Sequence, residues 1–383
     1  MSKKPLITST QLLLLSVGSA MMFPYTFLPG LRTPPANQDV WFVSLLMLVY
    51  ILILNTPLLF LTNKFRGMNV NEMCEIILGK FFEKIAAILF ILLFLFCYAA
   101  CMLMSVIFLQ LYIFPETPSW ALILYTIVPI IYASYKGAGT ICRLAAITTP
   151  FIMLTIIIFF LLGIGKMDFS ILQPVLKDST FLEVNQGAFI NASRFSETLI
   201  FLVFAYFLDK KVNINKTYVL TLVIYGISLI LIIIPVLTVL GVDLAKHAWN
   251  PYFTFTRQVE AYDFIQRVQS VNTLAWITGM LLKLTIYSFM ASYVLAGLVK
   301  AKSHKGFVIP SAIVAAIVCL LPIMNKSSTI ELLRSDQVFP WIVFPVIFVL
   351  PLMIVFVYFI RRKKINRVLK QRQAAELSSE NGI

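Results

Sequence analysis

The chain has 383 residues, of which 60% are hydrophobic and only 13% are charged, and its mean hydropathy is +0.91. Soluble globular proteins are about one quarter charged, so this composition excludes an ordinary soluble enzyme and indicates a membrane protein. Much of the net charge of +14 comes from a C-terminal run that directly follows the last apolar stretch. Such a run indicates contact with the anionic lipid bilayer surface and argues against nucleic acid as a partner.

Apolar stretches long enough to cross a ~30 Å hydrocarbon core recur along the chain, since a helix needs ~20 residues to do so. They predict an all-α polytopic membrane protein with about ten transmembrane helices, called spans 1 to 10 below. The spans are expected at about 6–31, 40–61, 84–114, 120–135, 143–165, 186–208, 216–242, 271–299, 307–324 and 338–360. Lys and Arg are enriched at both termini and in alternate loops, which places both termini in the cytoplasm.

A long outer segment after span 5 divides the chain into two halves of five spans each. We therefore expect a single transmembrane domain over residues 1–383. Its parts are a first five-helix repeat at 1–165, an outer linker at 166–185, a second five-helix repeat at 186–360 and a basic cytoplasmic tail at 361–383.

The first span of each half carries an unusual polar or small-residue segment. Span 1 contains Ser16-Val-Gly-Ser-Ala20 followed by Pro24, and span 6 contains Asn191-Ala-Ser-Arg-Phe-Ser-Glu-Thr198. Gly and Ser weaken helical continuity, and Pro24 lacks a backbone donor. Interrupted helices at corresponding positions of two halves are typical of a transporter's binding site at mid-membrane. We expect a ligand carboxylate to bind the backbone N–H groups of Val17, Gly18, Ser19 and Ala20; close helix packing through small residues is the alternative.

Two ionisable residues lie near the middle of predicted spans, Glu197 in span 6 and Lys283 in span 8. A bare charge there costs at least ~2.5 kcal/mol, so each is expected to face protein or water and to have a partner. Both are candidate ligand-binding residues, and a structural ion pair is the alternative. The other candidates are Ser196, Thr198 and Tyr287, together with Tyr98 and Ser105 on one face of span 3, where simple packing is the alternative.

Signatures of catalysis are missing from the sequence. It contains no HExxH, no GxSxG, no Walker loop and no acidic metal cluster, so we expect neither an enzyme nor a bound metal or cofactor. The five cysteines include no CxxC pair and indicate no disulfide framework. Transporters and receptors are the classes that remain.

Three stretches are similar to a known family: Gly18-Ser-Ala-Met-Met-Phe-Pro24 in span 1, Phe195-Ser-Glu-Thr-Leu-Ile-Phe-Leu-Val-Phe204 in span 6, and the sequence from Pro251-Tyr-Phe-Thr to Trp276-Ile-Thr-Gly-Met-Leu-Leu-Lys283 leading into span 8. Through them the chain resembles the B subunit of bacterial spore germinant receptors, a branch of the amino acid–polyamine–organocation superfamily. The resemblance implies a leucine-transporter-like fold of two inverted five-helix repeats, with spans 1 and 6 broken and a ligand between spans 1, 3, 6 and 8.

The resemblance also implies a function. Family members sense a small nutrient, usually an amino acid, together with an A subunit and a lipoprotein C subunit in the spore inner membrane. The superfamily fold commonly places a sodium ion between spans 1 and 8, and Lys283 is expected to replace that ion as a built-in cation. Two alternatives stay open: a proton-coupled amino acid permease of the same superfamily, and a structural scaffold for the A and C subunits.

Overall fold

A computed structural model of the chain describes residues 7–259, 269–324 and 339–380, and these residues are almost entirely helical. The helices are α1 Ser9–Thr26, α2 Val40–Leu54, α3 Thr56–Lys64, α4 Val70–Leu78, α5 Lys80–Tyr112, α6 Ser119–Lys136, α7 Ala138–Gly163, α8 Phe181–Ala192, α9 Thr198–Phe204, α10 Ile214–His247, α11 Pro251–Gln258, α12 Gln269–Leu298, α13 Lys305–Met324, α14 Phe339–Phe344 and α15 Leu350–Glu380. Short 3-10 turns and one π-helical turn at Pro345–Val349 join some of them.

Helices occupy every one of the ten predicted spans. Within the described ranges, six helical segments are each long and apolar enough to cross a membrane, and the bent pair α2–α3 makes a seventh. The six segments are Ser9–Arg32, Lys80–Tyr112, Ala138–Lys166, Ile214–His247, Gln269–Leu298 and Phe339–Gln371. The helices at spans 4, 6 and 9 lie outside this set. The prediction of an all-helical, multi-pass membrane protein is confirmed.

Two helix starts differ from the hydropathy-based boundaries because polar caps fix them. α8 begins at Phe181, inside the expected outer linker, because Thr180 and Glu183 form a capping box in which each side chain bonds the other's backbone N–H. The additional helix α4 begins in the same way, with Asn69 and Glu72 as its capping pair. Hydropathy does not register these polar signals, so it misses both starts.

The sixth span is broken, as predicted, between α8 and α9 at residues 193–197. Hydroxyl groups satisfy one backbone carbonyl just before the break and one within it. Ser193 Oγ donates to Ile190 O at 2.6 Å, and Thr198 Oγ1 donates to Phe195 O at 2.8 Å. Short side chains that bond nearby backbone groups compete with helical hydrogen bonds, which explains why a break forms here.

The interruption of the first span lies elsewhere than predicted. α1 is helical through Val17–Ala20 and ends at Thr26, before a 3-10 turn at Pro29–Arg32. Gly18 serves close packing instead, because a Cβ atom there would collide with Thr149 Oγ1, the hydroxyl that donates to Leu14 O at 2.8 Å. A small residue at a helix crossing lets two backbones approach closely, and that is the use this chain makes of Gly18.

α1 and α12 pack antiparallel with a regular register. Trp276 Nε1 donates to Thr26 Oγ1 at 3.0 Å, Gly279 lies against Met22, and one turn further Lys283 reaches the carbonyl of Ser19. α12 also packs along α5 and α7, so it joins the first span to the third and fifth. This packing brings the polar parts of spans 1, 3, 6 and 8 to one level of the bundle.

We expect Gly18→Ala to lower the free energy of unfolding by about 1–3 kcal/mol, because overpacking forces neighbouring groups apart. Gly306→Ala is the matched control, since Gly306 also lies in a helix and an added Cβ meets nothing within 4 Å. Thermal unfolding of both variants in detergent measures the effect. Equal melting temperatures for the two variants would contradict the close approach of α1 and α7.

Candidate functional site

A cavity of about 80 Å³ lies along the C-terminal half of α1, at the level of the span 6 break. Its walls come from α1 and the segment that follows it, α5, the break, α12 and the start of α14. The lining residues are Met22, Phe23, Thr26, Phe27, Arg32, Cys97, Ala100, Cys101, Met104, Arg194, Ser196, Glu197, Met280, Lys283, Tyr287 and Phe339. An apolar pocket with a few convergent polar groups is the usual form of a small-molecule site.

A buried ion pair forms one wall of the cavity. Lys283 Nζ lies 2.7 Å from Glu197 Oε1, and the two side chains are only 6% and 5% exposed. The ammonium also donates to Ser19 O at 3.4 Å and lies 5.8 Å from the centre of the Phe23 ring. The pair therefore joins α12 to both the broken span 6 and the intact α1.

Two hydroxyl groups complete the polar wall. Tyr287 OH donates to Glu197 Oε1 at 3.3 Å, and it lies 2.6 Å from Ser196 Oγ. Tyr287 stands one helical turn after Lys283 on α12, so one face of that helix supplies both partners of the carboxylate. The break in span 6 supplies the carboxylate and the serine, because consecutive residues point in different directions once the helix is interrupted.

The predicted candidates fall into two groups. Ser196, Glu197, Lys283 and Tyr287 meet at the cavity. The others do not line it: Val17, Gly18 and Ala20 pack inside the bundle, Ser19 contributes its carbonyl, Ser105 and Thr198 bond nearby backbone carbonyls, and Tyr98 turns toward Ser288. The backbone N–H groups of Val17–Ala20 lie within a continuous α-helix, where such groups are bonded to carbonyls one turn earlier.

Comparison with known proteins identifies the family. The profile described as "Spore germination protein" matches residues 6–330. The chain belongs to this family of spore germination proteins. Among curated relatives, it is 21% identical to spore germination protein XB of Bacillus anthracis over 318 residues, which are 83% of this chain and 88% of that protein. It is 23% identical to spore germination protein YndE of Bacillus subtilis over 299 residues, covering 77% of this chain and 82% of that one.

A solved transporter structure has the same fold as this chain. It is the substrate-bound, outward-open state of a Na⁺-coupled sialic acid symporter, which superimposes with a TM-score of 0.57 at 13% sequence identity. The match covers 90% of this chain and 79% of the symporter. The leucine-transporter-like fold expected from the sequence is confirmed.

Several residues that line this cavity are not among the candidates predicted from the sequence. Arg194 lies within the polar cluster of span 6, and the exposed Arg32 directly follows span 1. A positive charge inside the cluster was the available signal for Arg194. The apolar lining residues Met22, Phe23, Met104 and Met280 carried no signal, because in the sequence they look like any other residue of an apolar span.

A double-mutant cycle tests the buried ion pair. We expect Lys283→Met and Glu197→Gln each to lower the free energy of unfolding by about 3–5 kcal/mol, since each leaves the other group without its partner. The double variant is expected to recover much of that loss because no uncompensated charge stays buried. Thermal unfolding in detergent gives the coupling energy, and strictly additive losses would show that the two side chains do not interact.

Proposed function

We propose that this chain is the membrane-embedded subunit of a nutrient germinant receptor, and that it binds a small amino acid in the cavity beside Lys283 and Glu197. Three findings support the proposal: membership of the spore germination family, a transporter fold, and a buried pair of opposite charges on a cavity wall. The ion pair is the main observation behind the proposal. Burying two charges is costly, and this pair lies on a cavity wall, where a ligand with both charges can reach each partner.

The chemistry of the wall favours a zwitterionic ligand. An ammonium group approaching Glu197 and a carboxylate approaching Lys283 compensate both charges of the pair. A ligand with a single net charge satisfies only one partner and leaves the other unbalanced. The hydroxyls of Tyr287 and Ser196 lie beside the carboxylate and can orient the ligand's polar end.

The size of the cavity favours a small ligand with an apolar side chain. About 80 Å³ corresponds to roughly five to eight water-sized volumes at 10–15 Å³ each. The apolar wall is well suited to an aliphatic side chain, and its methionines adapt easily to the shape of a bound group. We assign the ligand carboxylate to Lys283 rather than to the N–H groups of Val17–Ala20, because α1 is intact at those residues.

The setting of the receptor is part of the proposal. We infer that the chain lies in the spore inner membrane with both termini in the cytoplasm and works with receptor A and C subunits. We also infer that residues 1–165 and 186–360 are two inverted repeats that enclose the ligand, followed by a basic tail at 361–383. The exposed basic residues after the last apolar stretch, among them Arg362, Lys363 and Lys364, support a cytoplasmic C-terminus.

A proton-coupled amino acid permease of the same superfamily is the second candidate function, favoured by the fold shared with a symporter. Purified chain in proteoliposomes separates the two. Accumulation of labelled amino acids that depends on a pH gradient supports a permease. Binding without accumulation, combined with loss of germination in a deletion strain, supports the receptor.

We expect Glu197→Gln to shift the germination response to at least tenfold higher amino acid concentrations at matched protein level. Loss of one charge-assisted hydrogen bond of about 1.5–3 kcal/mol corresponds to roughly that factor or more. Glu116→Gln is the control, since Glu116 is an exposed acid outside the cavity. An unchanged dose–response in Glu197→Gln would reduce this residue to a packing role.

Amino acid binding by this chain is expected to be independent of sodium. The Lys283 ammonium already contacts Ser19 O, so a metal ion at the same carbonyl would face a like charge, and the residues present do not suit a sodium site. Titration of purified protein with labelled amino acid in sodium and in choline buffer should give the same affinity. Weaker binding in choline by tenfold or more would contradict the role of Lys283 as a built-in cation.

A further inference from the structure

Four buried hydroxyl groups close to the ion pair have no hydrogen-bond partner among the residues that the structure describes. They belong to Ser16 and Ser19 on α1, Tyr98 on α5 and Ser288 on α12. All four residues are at most 1% exposed. Buried polar groups in proteins are nearly always satisfied, either by protein or by ordered water. Four such groups in one region therefore require an explanation.

The four hydroxyl groups belong to one layer of the bundle. Lys283 Nζ contacts Ser19 O at 3.4 Å, and Ser288 follows Tyr287, the partner of Glu197. The α1–α12 register, continued by one turn from Ser19 and Lys283, brings Ser16 level with residues 286–287. Tyr98 OH and Ser288 Oγ lie close to each other, although their contact lacks the distance and angles of a normal hydrogen bond. The group thus extends from the ion pair toward the N-terminal half of α1.

This region is separate from the ligand cavity. None of the four residues lines that cavity. On α12, Phe289 directly follows Ser288, and its ring packs against the rings of Phe204 and Tyr293, with centroids 5.3 Å and 5.5 Å away. The rings of Phe207, Phe289 and Tyr293 line a second cavity of about 330 Å³, which none of the four residues lines. The hydroxyl groups therefore belong to neither cavity.

We propose that Ser16, Ser19, Tyr98 and Ser288 form a buried hydration site next to the Lys283–Glu197 pair, in which ordered water bridges the four hydroxyl groups. A buried water makes about three hydrogen bonds, and every hydroxyl can both donate and accept, so about two waters can give each of the four hydroxyl groups a partner. A metal cation is disfavoured because the oxygen ligands are neutral and the Lys283 ammonium lies beside Ser19. The hydration site is independent of the nature of the ligand in the cavity beside Lys283 and Glu197.

Hydroxyl-radical footprinting of the full-length protein in lipid nanodiscs tests for bound water directly. Radicals generated from water modify buried tyrosines only where water lies next to them. Tyr25 is the internal control, because it is 1% exposed and its hydroxyl is bonded to Asn272. We expect Tyr98 to be modified at least several-fold more than Tyr25. Modification of Tyr98 at or below the level of Tyr25 would overturn the proposal.

The sign of a stability change provides a second test. If water bridges the hydroxyls, Tyr98→Phe and Ser288→Ala each remove one of its partners and lower the melting temperature. If the hydroxyls are instead unsatisfied in a dry interior, each substitution removes a desolvation penalty and raises the melting temperature. A melting temperature equal to or above that of the unchanged protein, in both variants, would exclude the hydration site.

Discussion

The rest of the site depends on the buried ion pair between Lys283 and Glu197. Two charges removed from water repay their desolvation only when the geometry is good and further hydrogen bonds satisfy both groups. That requirement accounts for the neighbours: the carbonyl of Ser19 beside the ammonium, and the hydroxyl of Tyr287 beside the carboxylate. An uninterrupted span 6 would present Glu197 with regular helical neighbours on either side. The break lets Glu197, Ser196 and Arg194 all line one cavity.

Hydropathy and charge predicted the all-helical, multi-pass architecture and two central residues of the candidate site, whereas the leucine-transporter-like fold was expected from the family resemblance. The lengths of the apolar stretches predicted the positions of the spans. The cost of a charge within an apolar span indicated Glu197 and Lys283 as candidate site residues. The role of Gly18 could not be predicted, because a glycine in a helix permits either a break or a close approach. The choice is made by Thr149 on a different helix, whose hydroxyl occupies the space where a side chain would lie. Tyr98 illustrates the same limit. Helical periodicity predicted the face of span 3 on which Tyr98 lies, but not that its hydroxyl lies beside Ser288 of a different helix.

Spans 1 and 6, which begin the two halves of the chain, use small and polar residues in different ways. In span 6, the hydroxyl groups of Ser193 and Thr198 donate to the carbonyls of Ile190 and Phe195 and so satisfy two carbonyls at the break. In span 1, Thr26 donates to Met22 O, and α1 stays helical through Pro24 to its end at Thr26. The same residue types thus occur at a break in one span and within a continuous helix in the other, and sequence composition alone does not separate the two outcomes.

A fixed cation changes what a transporter fold can do. In an ion-coupled symporter, binding and release of the ion add free energy to the conformational cycle. Lys283 is part of the chain and cannot dissociate as a bound ion does, so under our proposal the equilibrium between states responds to differences in how each state holds the ligand. In the proposed receptor, a ligand that engages both Glu197 and Lys283 would weaken the direct bond between them, which is one of the contacts between α12 and the broken span 6. Ligand binding would then act on the contact between these two elements. Coupling of this kind is suited to signalling that the ligand is present, because it needs no net movement of the ligand across the membrane.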